Sequence, residues 1–213
     1  MNLHDIVSYF THLDSHLAYI FNDFGLWTYL IMFLVIFAET GLIIMPFLPG
    51  DSLLFAIGAF AGLGYIHLWG ILITLFVAAI VGDSVNYWIG KKFGQKLVDH
   101  PKIPINQEHI NQTQAYYDKN GGKTIILARF IPIIRTFAPF VAGVSHMRYK
   151  DFMLYNVVGA FTWVFGLVLL GYFFGNIPSV KHNIEYAIFG VIGISLLPVF
   201  FEFVKIRYKK HKE

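Results

Sequence analysis

Two carboxylates and two arginines stand where an apolar chain has least use for charge. Glu39 and Asp51 bracket a stretch that also holds Pro46, Pro49 and Gly50. Arg129 and Arg135 bracket a second stretch around Pro132, followed by Thr136. An ionised side chain at the centre of a bilayer costs about 2.5–3.5 kcal/mol on insertion scales, so residues of this kind are candidates for function. A guanidinium is a planar, permanently charged fork that grips phosphate oxygens bidentately. A carboxylate that competes with phosphate for that fork takes up a proton more readily once displaced. The same four charges also balance, so a neutral cluster that only holds the fold together is an open alternative. Glu39 reads either as half of an interhelical ion pair or as a proton acceptor. Asp51, ahead of Ser52 and an apolar run, reads as a helix N-cap, as a titrating group, or as both.

The elements around these residues must tolerate a broken backbone. Proline and glycine at 46, 49 and 50 stop a helix and turn the chain. Non-helical backbone at membrane depth survives only where protein or a wet cavity covers it. Residues 26–66 and 124–147 are therefore expected to form two re-entrant helical hairpins. Shifting one stretch by 86 residues puts Pro46 on Pro132 and Ala56 on Ala142. Two interrupted apolar segments in corresponding positions of two halves point to a transporter binding site. The expected fold is thus an all-α polytopic membrane protein, inverted-repeat-like, with the hairpins dipping from opposite sides and their charged tips meeting near the midplane.

The remaining segments frame that pair. Residues 1–25 place Leu3, Ile6, Val7, Phe10, Leu13 and Leu17 at helical spacing among polar residues, an amphipathic helix without the basic n-region of a secretory signal peptide. Residues 67–90, 152–175 and 184–204 are long and apolar enough to cross a membrane. Gly171 and Gly175 allow a close helix contact in the second of these. Asp83 falls in the last third of 67–90; pairing with His67, pairing with a lysine, and facing a cavity all remain open. No lysine or arginine precedes Lys91, whereas 91–123 holds six lysines and the tail 205–213 five basic residues. By the positive-inside rule those two segments and the link at 148–150 are cytoplasmic, and the N-terminus is outside.

Glu39 to Asp51, then Gly82 and Asp83 with Tyr87, Gly90 and Gly94, then Arg129, Phe130, Pro132, Arg135 and Thr136, resemble the bacterial DedA family within the wider SNARE-associated (VTT-domain) group. The resemblance covers nearly the whole chain; Lys91 stands where family members often carry arginine. It implies a multi-pass protein of the bacterial cytoplasmic membrane. It further implies a transporter that moves a phosphate-bearing lipid, undecaprenyl phosphate or a phospholipid, with proton coupling.

Composition narrows the rest. The chain is 56% hydrophobic and 14% charged, against about 25% charged in soluble domains. Cysteine is absent, which removes disulfides and thiolate metal sites. Among the nine histidines only His12 and His16 stand at i, i+4, with no third ligand nearby, and no HExxH pattern occurs, so no metal and no cofactor is expected. The net charge of +3 follows topology and gives no footing for nucleic acid. The expected function is a lipid carrier or flippase and not an enzyme. Arg129 and Arg135 hold the phosphate, Glu39 and Asp51 couple to protons, and Asp83, Pro46, Pro49, Gly50, Pro132 and Thr136 support them. The expected partners are the lipid, protons and a second copy of the chain. An alternative is a proton-coupled antiporter or small-ion transporter with structural arginines. A weaker one is a membrane-embedded lipid phosphatase using Ser145 and His146.

Overall fold

The computed structural model describes residues 13–42, 50–98, 107–178 and 180, without the side chains of 13–24, 95–98, 107–109 and 132–133. Pro46, Pro49, the expected span 184–204 and the basic tail lie outside the described residues. Among those described the secondary structure is helical throughout. The helices are α1 (Leu13–Gly41), α2 (Gly50–Gly62), α3 (Leu68–Val98), α4 (Gln107–Asn120), α5 (Thr124–Ala128), α6 (Pro132–Val144) and α7 (Tyr149–Gly175), with a 3-10 turn at Gly121–Lys123. Helix α1 is broken at Gly25, whose φ of 24° and ψ of −102° are non-helical, a conformation that only glycine adopts cheaply.

Over residues 68–90 of α3 and 152–175 of α7 the exposed side is largely apolar, as the buried one is. On α3, Ile73, Val77, Val81 and Trp88 are exposed while Leu72, Leu75, Ala78 and Ala79 are buried. On α7, Leu154, Val158 and Phe161 face outward while Phe152, Ala160 and Val164 are buried. A helix with water on one side would be polar there. Both are long enough to cross a bilayer, at Leu68–Gly94 and Tyr149–Gly175. Their hydroxyls are satisfied within the helix: Thr74, Ser84 and Thr162 each donate to the carbonyl four residues back, which spares the apolar surroundings an unpaired donor.

The chain divides into two compact units. In one, which takes in residues 50–69 and 167–178, α2 lies against the end of α7. A Cβ on Gly58 would strike the Val168 backbone, one on Gly62 the Tyr172 backbone, and one on Gly175 the Ala59 backbone. The expected small-residue contact at Gly171 and Gly175 is therefore made on α2, against the backbone of Phe55 and Ala59. Phe55 and Phe174 pack beside it with ring centroids 5.4 Å apart.

The other unit takes in residues 29–42, 70–98 and 107–166 and holds most of the buried charge. Here α6 packs on α3 in a constant register. Asn86 Nδ2 donates to Thr136 O, a Cβ on Gly90 would meet the Phe140 backbone, and one on Gly94 would meet Val144. Each pair is fifty residues apart, and the pairs step by four along both helices, so α6 runs parallel to α3. Tyr87, Ile125, Ala142 and Phe152 form a buried cluster beside this contact, and Tyr87 Oη donates to Met147 O. Helix α6 ends in a Schellman turn: His146 at φ 54° donates to Gly143 O, and Met147 to Ala142 O.

One turn before Asn86, α3 meets α1 through Gly82, where a Cβ would run into Thr40 Oγ1 and come within 3.1 Å of Gly41 N. Gly82→Ala should therefore lose about 1–3 kcal/mol through overpacking. The check is the thermal unfolding midpoint in detergent, and an unchanged midpoint would mean that α1 does not pack this tightly.

Candidate functional site

Proline chemistry places the two arginines. Pro132 pushes the residue before it out of the helical region, and Ile131 is extended at φ −122°, ψ 105°. The chain therefore turns at 129–131 between α5 and α6, and the backbone of Arg135 closes the first turn of α6 on Ile131 O at 2.8 Å. Arg129 sits at the turn and Arg135 one helical turn into α6.

Each arginine is sealed against a carboxylate. Arg129 Nη2 donates to Asp83 Oδ2 at 2.5 Å and to Asn156 Oδ1 at 2.6 Å. Arg135 Nη2 donates to Glu39 Oε1 at 2.6 Å. Exposures are 2% for Arg129, 6% for Arg135, 3% for Asp83 and 1% for Glu39. Ion pairs this dry hold only with good geometry and further hydrogen bonds, because the desolvation of each ion costs several kcal/mol. Asn156 supplies part of that frame by donating to Ile80 O at 3.1 Å, which fixes its oxygen toward Arg129. Asn86 supplies more, donating to Thr40 O at the end of α1 and to Thr136 O in α6.

The two guanidiniums share one aromatic ring. The Cζ atoms of Arg129 and Arg135 lie 5.6 and 5.0 Å from the Trp163 ring centroid, and the indole is fully buried. A cation–π contact draws each charge to the ring and is stronger when dry, so Trp163 offsets the repulsion between two neighbouring cations. Gly159, one turn earlier on α7, leaves room for the arginine stem: a Cβ there would sit 3.0 Å from Arg129 Nε and 3.1 Å from its Cδ. Arg129 is not saturated. Its Nε and Nη1, and Asn86 Oδ1, are buried without a hydrogen-bond partner among the described residues.

Tyr117 of α4 supports the same wall and donates to Ala138 O at 2.9 Å. Burial, and then the negative charge of Asp83, push its phenol well above the ordinary tyrosine range. It therefore stays a donor at any physiological pH.

Glu39, Arg129, Arg135 and Thr136 thus come together in one unit, with Pro132 heading α6. The partner of Asp83 is Arg129, not His67 or a lysine, because Asp83 lies near the turn that carries Arg129. Asp51 belongs to the other unit, in the first turn of α2 after Gly50, where a helix N-terminus favours a negative charge. Ser145 and His146 are taken up by the end of α6: Ser145 Oγ reaches Gln114 Oε1 at 3.4 Å and His146 Nδ1 lies 2.8 Å from Val144 O. Asn86, Asn156, Trp163 and Gly159 were not anticipated. The two asparagines did carry a signal, since a polar amide inside an apolar span is costly unless it has a partner.

The VTT domain pattern matches residues 48–173, and Protein DedA of Escherichia coli strain K12 is 48% identical over 203 residues, 94% of this chain and 93% of that protein. The chain belongs to the DedA family. An uncharacterized membrane protein of Mycobacterium leprae is 41% identical over 165 residues, 77% of this chain and 74% of its own. Inner membrane protein YqjA of Escherichia coli strain K12 is 32% identical over 151 residues, 70% of this chain and 69% of its own. No solved structure matches. Within this DedA-family membrane protein, the region matched to the VTT domain contains Asp83, both arginines, Asn156 and Trp163, while Glu39 precedes it.

Proposed function

We propose that this DedA-family protein is a transporter, not an enzyme, that carries a phosphate-bearing lipid, undecaprenyl phosphate or a phospholipid, across the bacterial cytoplasmic membrane with proton compensation. One observation carries the reading: Arg129 keeps two buried guanidinium nitrogens, Nε and Nη1, without an acceptor among the described residues, beside two arginine–carboxylate pairs. A phosphate supplies acceptors for those groups and competes with Glu39 and Asp83 for the guanidiniums. A displaced carboxylate in a dry site then favours its protonated form, so proton uptake balances the incoming charge. Asp51, in its own unit, is a second coupling candidate, and a second copy of the chain remains part of the reading.

The architecture supports two re-entrant halves. In one unit the short helix after the first break, α2, packs in parallel on the end of α7. In the other the short helix after the second break, α6, packs in parallel on α3. Each half of the chain thus lends its long span to the other half's short helix, the pattern expected of an intertwined repeat.

The experiment uses purified protein in liposomes with a fluorescent phosphate-bearing lipid, at several pH values, with and without an imposed proton gradient. Wild type should translocate lipid faster under the gradient. Glu39→Gln should still translocate but lose its response to pH. Proton or cation flux without lipid movement would instead establish the ion-transporter reading, which the one-to-one pairing of arginines with carboxylates also supports.

A further inference from the structure

The depth of the charged site can be measured along two helices. Trp88 on α3 is half exposed, with Lys91 Nζ 5.1 Å from its ring centroid and 5.8 Å from that of Tyr87. Tyr149, the first residue of α7, packs on Trp88 at 5.4 Å. Next to it Arg148, Lys150 and the Arg148–Asp151 pair reach outward. Aromatic rings beside lysine and arginine mark a membrane–water interface. From this level the helices enter the apolar layer. Asp83 is five residues in along α3, about 7.5 Å at 1.5 Å per residue. Asn156 is seven residues in along α7, about 10.5 Å by the same rise. The midplane lies about 15 Å in, half of a 30 Å core, which ten residues of α3 reach at Ala78. Beyond Asp83 toward the start of α3, residues 70–82 offer no charged side chain.

We propose that the Asp83–Arg129–Asn156 site lies within the leaflet on the lysine-bearing side, not at the midplane, and takes its anionic headgroup from that leaflet past Trp88 and Lys91. Lys91 is exposed and held over two rings, about 12 Å of helix from Asp83 by the same rise. A lipid phosphate at the interface meets Lys91 first, then the arginines. The depth assignment stands on helix geometry alone; the headgroup rests on the proposed function above.

Two measurements test the two parts separately. The chain has no cysteine, so single cysteines at Val77 and Trp88, both exposed, can carry nitroxide labels in phosphatidylcholine vesicles. The ratio of oxygen to nickel-chelate accessibility then gives each depth. The expected result places the Val77 label near the bilayer centre and the Trp88 label at the headgroup level. If Asp83 were at the midplane, the two labels would lie about 9 and 7.5 Å from the centre on opposite sides; equal depths would overturn the assignment. For the headgroup, dioctanoyl phosphatidic acid is mixed with detergent-solubilised protein and tryptophan fluorescence is followed by stopped flow. Lys91→Glu should slow association at least fivefold with dissociation unchanged, and Lys91→Arg should match wild type. An unchanged association rate in Lys91→Glu would overturn the access route. No binding by wild type would remove the lipid-phosphate reading and the route together, while the nitroxide depths would still decide where the site lies.

Discussion

Asp83→Asn should destabilise the protein by about 3–5 kcal/mol, and adding Arg129→Gln should recover all but about 1 kcal/mol of that loss. The single change leaves a guanidinium buried, 2% exposed, without its paired carboxylate, facing neutral amide oxygens and the Trp163 ring. The double change removes both charges and keeps amides that hydrogen-bond to each other and to Asn156. Chemical unfolding of the detergent-solubilised protein measures all three proteins, and the cycle isolates the coupling of the pair. Transport should not follow stability. The double variant folds but has lost a cation that holds phosphate, so lipid translocation should be abolished. Wild-type stability in Asp83→Asn would mean that Asp83 is not the counter-charge of Arg129. Full transport in the double variant would remove Arg129 from the phosphate site.

Arg135→Lys should lower lipid translocation at least tenfold while the protein stays folded, a loss of about 1.4 kcal/mol or more in the barrier to transport. Arg135 makes two contacts at once, a 2.6 Å bond to Glu39 and a cation–π approach to Trp163 at 5.0 Å. The flat guanidinium can lie over the ring while its edge donates. An ammonium is a compact point charge that cannot keep both contacts, and in a dry site it gives up its proton far more readily. Glu39 would then keep a neutral neighbour, and the balance that phosphate is proposed to disturb would be absent from the start. Near-normal transport in Arg135→Lys would make the arginine a simple counter-charge and turn the reading toward an ion transporter.

Much of the site was legible in the amino-acid order. Charge inside apolar stretches is costly wherever the chain goes, so Glu39, Asp83, Arg129 and Arg135 stood out before any contact was known. Pro132 determined the break at 129–131 by local sterics, and Gly171 and Gly175 of α7 announced a close helix contact. Pairing was different. The sequence grouped the arginines with Glu39 and Asp51 and left Asp83 between His67, a lysine and a cavity. It showed nothing of Trp163, which looks like any other aromatic residue in a lipid-facing chain. Those choices depend on the register between helices that are remote in sequence. The fifty-residue offset of α6 on α3 is set by Gly90 and Gly94 against Phe140 and Val144, and by Asn86 tying Thr40 to Thr136. Local preference decides where a helix stops and which residues are expensive to bury. Which expensive residues meet is decided by backbone approach between helices, and that is a property of the packed molecule alone.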